Sequence, residues 1–266
     1  MGKQNDALGA RMKEYEHAER TYLERKVPVI IRIDGKAFHT FTRGMAKPFD
    51  DILMTTMQRT MQYLCEHIQG CVFAYTQSDE ISLLLTDYAT PETDAWFGYN
   101  VQKMASVAAS EATGAFNEFF IEEVMKHHNA DDDFDGDFYA KKAFKARFDA
   151  RVANYPKDEV ENYFIWRQSD AIRNSVEATG HASFSAREMH GKSVGDVKQM
   201  LWDIHGISWD DFPADCKCGS CCYRVPTEVP VEVRDRELVT VTRNKWKIDR
   251  NIPLFTQNRE FVSKWL

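Results

Sequence analysis

The run Val27-Pro28-Val29-Ile30-Ile31-Arg32-Ile33-Asp34-Gly35 constrains the fold more than any other segment. Its β-branched residues are stiff at χ1 and favour extended backbone. Near-continuous apolarity predicts a buried strand, and the acid and glycine at its end mark a turn. Cys71–Tyr75 and Ile81–Leu85 read as two more strands. The polar stretch Thr76-Gln77-Ser78-Asp79-Glu80 between them suits a five-residue hairpin connection. A further strand is expected over 146–152. Helical patterns cover about 7–25, 50–69, 97–127, 156–175 and 194–204. Strands and helices mix without regular alternation, so the expected class is α+β, with a mainly antiparallel sheet.

With 43% hydrophobic residues in 266, the chain can bury one sizeable core or a large domain with a smaller appendage. The expected division is a larger domain over 1–180, including an N-terminal helix, and a C-terminal region over 181–266 packed on it. No apolar stretch approaches the roughly 18 residues of a membrane span. The polar N-terminus lacks a signal peptide's apolar core, which places the chain in the cytoplasm with no membrane partner. A net charge of -7 weighs against a nucleic-acid partner, but a local basic patch can still hold phosphate. Two patches qualify: Lys141, Lys142, Lys145, Arg147 and Arg151, and then Arg243, Lys245, Lys247 and Arg250.

Two metal readings are weighed and set aside. Cys216, Cys218, Cys221 and Cys222 suggest zinc, but a structural site draws on two separated ligand pairs and no second pair is in sight. The cluster is therefore read as reduced and loop-borne. Asp131, Asp133, Asp135 and Gly136 imitate the start of a calcium loop. Its twelfth position is Lys142, where a bidentate glutamate is required.

The acids at the strand ends carry more. If the strands are neighbours, Asp34 converges with Asp79 and Glu80 at one edge. Hard oxygen donors in that arrangement suit magnesium, which takes one or two carboxylates plus waters and phosphate oxygens. Gly35 would let its carbonyl approach the ion without a Cβ in the way. Lys47 and Ser78 could hold a triphosphate. The competing reading is that these are ordinary turn residues.

The strings themselves decide between the two. Arg32-Ile33-Asp34-Gly35-Lys36-Ala37-Phe38-His39, Ala46-Lys47-Pro48 and Gln77-Ser78-Asp79-Glu80 with Ser82 resemble the tRNA-His guanylyltransferase family. So do Phe148-Asp149-Ala150-Arg151-Val152 with Tyr155-Pro156, and Trp166-Arg167-Gln168 with Asp170. They occur in family order over about 27–225. The resemblance implies a catalytic domain similar to a polymerase palm or a nucleotidyl cyclase, an antiparallel sheet flanked by helices. It implies nucleotide addition to the 5′ end of tRNA in the 3′-to-5′ direction. It matches Asp34, the Gly35 carbonyl and Asp79 to the ligands of two magnesium ions, with Glu80 as a supporting catalytic acid. It matches Lys47 and Ser78 to triphosphate contacts. The Arg32–His39 string, with Arg32, Lys36, Ala37, Phe38 and His39, is matched to nucleotide binding. Arg151 matches an arginine near the reaction centre, and Lys198, across a one-residue gap, a downstream lysine. ATP, GTP and other NTPs are the implied substrates, tRNA the implied partner, and a homotetramer built as a dimer of dimers the implied assembly.

Departures refine the expectation. Members specialised for tRNA-His carry His-Ile-Asn-Asn after the Asp170 position, where this chain reads Ala171-Ile172-Arg173-Asn174-Ser175. Phe49 stands where the family has asparagine. Leu8–Glu16 and Arg173-Asn174-Ser175 resemble the guanylyltransferase-like branch, whose members add nucleotides against a template and repair 5′-truncated tRNAs. Addition of a single G to tRNA-His is the first alternative. A nucleotidyl cyclase and a non-catalytic tRNA-binding protein are the others.

Overall fold

The computed structural model describes residues 2–232 and 238–266. A helix α1 (Gly2–Ala18) ends well short of the expected residue 25 and gives way to an extended segment. There follow β1 (Val29–Gly35), a one-turn helix α2 (Phe38–Phe41), α3 (Asp51–His67), and the hairpin β2 (Cys71–Gln77) and β3 (Glu80–Leu85). A long α4 (Val101–Ala130) and a short α5 (Gly136–Ala140) lead to β4 (Phe148–Asn154). Then come α6 (Lys157–Ser183), α7 (Ala186–Met189), α8 (Val194–His205) and α9 (Ala214–Cys218), followed by β5 (Ser220–Glu232) and β6 (Leu238–Asp249).

The strands form one antiparallel sheet in the order β4-β1-β3-β2-β5-β6, confirming the expected class. Alternation along each strand divides the core. Ile31, Ile33, Ile81, Leu83 and Leu85 face α3 and α4, while Ile30, Leu84, Phe73 and Tyr75 face α6 and the C-terminal segment. The N-terminus of α3 is fixed by Asp50, whose carboxylate accepts from Leu53 N at 2.9 Å and from Ala46 N at 3.0 Å.

Two expectations change here. The boundary expected at residue 180 falls inside α6, and the region beyond it contributes β5 and β6 to the sheet. The C-terminal region is thus part of the sheet as well as packed against it. The cysteines are also not loop-borne. Cys221 and Cys222 are consecutive strand residues, so their thiols enter opposite cores and cannot converge on one ion.

Candidate active site

Strand register brings the predicted acids together. Asp34, next to last in β1, pairs with Glu80 at the start of β3. The hairpin is tighter than expected: Gln77 and Glu80 pair, so only Ser78 and Asp79 form its tip. Ser78 has φ 49°, in the left-handed region. The Gly35 N–H donates to the Asp79 carbonyl at 3.0 Å and ties the tip to the end of β1. Burial, and then the neighbouring Asp34 charge, push the Asp79 carboxyl above its ordinary range, while a 3.1 Å bond from Ser78 Oγ opposes them.

Beside this tip lies a cleft of about 400 Å³ lined by Gly35, Ala37, Phe38, His39, Ser78 and Asp79, with Thr42 and Leu53. Ala37 has φ 55° and precedes α2. Two left-handed non-glycine residues bordering one cleft is the kind of stored backbone strain that collects at functional sites. Phe38 and Gly35 owe their identities to packing. The Phe38 ring is buried against Phe41, Phe116 and Phe148. A Cβ on Gly35 would lie 2.3 Å from that ring. The glycine therefore makes room for the aromatic that anchors the loop, a tighter requirement than the carbonyl access expected from sequence.

Glu80 is set apart from the other acids. Its carboxylate accepts from Arg167 Nε at 2.7 Å and Nη2 at 2.8 Å, a two-pronged bond between side chains each only 7% exposed. Burial raises the Glu80 carboxyl and Arg167 opposes it. The expected supporting acid is thus engaged in joining α6 to β3. Arg167 also bonds Asp170 at 3.1 Å. Its role was not legible in the sequence, where Trp166-Arg167-Gln168 with Asp170 stood out only as part of the resemblance.

The remaining candidates separate. Arg151 pairs with Arg32 across β4 and β1, and reaches toward Asp34 at 3.9 Å and Asp149 at 3.5 Å. Lys36, His39 and Lys47 are exposed, and a cis peptide joins Lys47 to Pro48. Pro48 and Phe49 border a second cleft of about 150 Å³ on the other flank of Ser78, which also includes Asn174 and Cys216. Lys198 is elsewhere: its ammonium sits 3.6 Å from the Trp209 ring centre and 3.2 Å from Asp210. The one-residue gap needed to align Lys198 is the weak point of that match. In the first basic patch, Lys142 donates to the Phe41 and Arg43 carbonyls, and Arg147 to those of Phe144 and Ala146. Both support loops.

The donor set fits magnesium. Two carboxylates and a carbonyl match that ion's habit of taking few protein oxygens and leaving positions for phosphate. Among the described residues, no group of three or more His, Cys, Asp or Glu side chains could form a closed metal cage. No helix among them is long and apolar enough to cross a membrane.

A family model described as tRNAHis guanylyltransferase matches residues 9–156. A probable tRNA(His) guanylyltransferase of Dictyostelium discoideum is 27% identical over 82% of this chain and 82% of its own length. The tRNA(His) guanylyltransferase of Schizosaccharomyces pombe is 26% identical over 88% and 87%. Among solved structures, a bacterial tRNA(His) guanylyltransferase-like protein in complex with ATP superposes with a TM-score of 0.81 at 38% identity, covering 97% of this chain and 98% of that one. The Saccharomyces cerevisiae enzyme, at 20% identity and a TM-score of 0.59, shares the fold.

Proposed function

Since the chain belongs to the tRNAHis guanylyltransferase family, we propose that it is a nucleotidyltransferase that extends the 5′ end of tRNA, choosing each nucleotide by pairing with the opposite strand. One observation carries this reading: Asp34 sits opposite Glu80 at the sheet end, and the 3.0 Å Gly35–Asp79 backbone bond holds the hairpin tip beside it, next to the strained loop of the Gly35–His39 cleft. Asp34, Asp79 and the Gly35 carbonyl would hold two magnesium ions, which supply charge neutralisation and an acidified hydroxyl when bound. Ser78 and Lys47 would hold the triphosphate. Arg151, already within 3.9 Å of Asp34, would face the developing phosphate charge.

The proposed chemistry has two steps. The RNA 5′-monophosphate attacks ATP, giving an adenylylated end and releasing pyrophosphate. The 3′-hydroxyl of the incoming nucleotide then attacks that activated phosphate, and AMP leaves. The protein's part is positioning and charge placement, so no base-reading side chain is required. ATP-bound and GTP-bound structures of the bacterial guanylyltransferase-like protein support both nucleotides as substrates.

The template-dependent branch is favoured over single-G addition by Ala171-Ile172-Arg173-Asn174. Arg173 pairs with Asp170, and Asn174 borders the cleft beside Ser78. The test is incubation of the protein with magnesium, ATP, labelled NTPs and a 5′-monophosphorylated tRNA lacking its first nucleotide. We expect label in the tRNA and AMP and pyrophosphate in equal amounts. Label in a cyclic nucleotide without RNA would identify a cyclase, and tight RNA binding without turnover a non-catalytic binder.

A further inference from the structure

Along β1, Gly35 belongs to the nucleotide cleft and Arg32 to a different one, with Asp34 between them. This other cleft, of about 150 Å³, is lined by Ile30, Arg32, Arg151, Tyr155, Tyr163 and Trp166, with Val152 and Ala153. Its floor places two arginines directly opposite each other on paired strands. Like charges so placed are destabilising unless carboxylates or a bound anion offset them. Arg151 leans toward Asp34 and Asp149, while Arg32 faces the Trp166 ring at 6.0 Å.

The wall is aromatic. Tyr155 packs edge-on against Tyr163 at 5.1 Å, and Tyr163 against Trp166 at 5.9 Å. Tyr163 is buried and bonded through its hydroxyl to Ser82, so it supports the wall from behind. Trp166 is 52% exposed, a large apolar surface left in water. Arg167 lies against the indole at 4.4 Å while gripping Glu80, which fixes the ring relative to the catalytic end of the sheet.

Resting on the proposed function, we propose that Trp166 is the stacking platform for the terminal base of the RNA substrate. Arg32 and Arg151 take the adjoining phosphate. The reaction brings two substrates to one pair of carboxylates. The incoming nucleotide takes the Gly35–His39 side, so the RNA end approaches Asp34 from the side that carries cations for its backbone and a half-exposed ring for its base. Aromatic faces stack on any base, as a template-directed enzyme requires of its RNA contact.

The test uses the full chain and a fluorescent 5′-truncated tRNA. Trp166→Ala is expected to weaken RNA binding about ten- to hundred-fold, the usual effect of removing one stacked ring. It should raise the KM for RNA by a similar factor while leaving the KM for ATP unchanged. Trp166→Phe should restore most of the affinity, and Trp166→Leu, equally apolar, should not. Because Trp166 is half exposed, an unchanged circular dichroism spectrum is expected for all three. Wild-type RNA affinity in Trp166→Ala would overturn the proposal. So would a loss confined to ATP, or full rescue by leucine. Failure of the wild-type protein to add any nucleotide would instead count against the proposed function.

Discussion

Asp79→Asn should abolish nucleotide addition and, without magnesium, raise the melting temperature. Burial and the nearby Asp34 charge raise the folded-state pKa of Asp79. Folding therefore favours its protonated form. Below the unfolded pKa the side chain costs nothing; as pH rises through the folded pKa, ionisation subtracts stability. The asparagine escapes that cost, so its advantage should be present at pH 7.5 and shrink toward pH 4. For a chain of this size each kcal/mol corresponds to roughly 2–4 °C. Magnesium should stabilise the wild type through binding to the native state and leave the variant unmoved. Activity should fall at least ~10²–10³-fold, as when one charge-stabilising group is removed from a preorganised site. Thermal melts at both pH values, with and without magnesium, check the stability. A variant that melts lower than wild type, or keeps its activity, would contradict the assignment.

The second large effect is structural. Arg167→Ala leaves the Glu80 carboxylate buried without its partner. Breaking a buried pair from one side costs about 3–5 kcal/mol, while replacing both members with neutral residues is often tolerated. The melting temperature should thus fall by about 10 °C. The double variant Glu80→Gln with Arg167→Met should recover much of it, and a double-mutant cycle by chemical denaturation measures the coupling. On our reading of Glu80 as a joint between α6 and β3, the double variant also regains activity. A folded but inactive double variant would mean that Glu80 acts directly on substrate or metal.

How far these features were legible follows from the range of the interactions. The antiparallel sheet and the meeting of Asp34 with Asp79 follow from local patterns. A β-branched run ends in Asp-Gly, and an acidic tip joins two apolar runs. The Glu80–Arg167 bond spans 87 residues, so no local pattern announces it. The reason for Gly35 was missed similarly, since it depends on the Phe38 ring in a core shared with α4 and β4. The cysteines were expected in a loop, but Cys216 and Cys218 lie in α9 and Cys221 and Cys222 in β5, where consecutive side chains point to opposite faces of the sheet. Lys198 was placed by an alignment with a gap, and the structure seats it on Trp209. The joining of β5 and β6 to the sheet was not expected because no strand was read in the C-terminal region.

The central claim is that pairing, rather than a protein side chain, selects the added nucleotide. The most direct measurement is a set of four 5′-truncated tRNAs that differ only in the base opposite the missing position. Each is given ATP, magnesium and all four NTPs, and the added nucleotide is identified at the new 5′ end. The account predicts that the added base changes with the opposing base, restoring a Watson–Crick pair in every case. Addition of G to all four, whatever stands opposite, would contradict it.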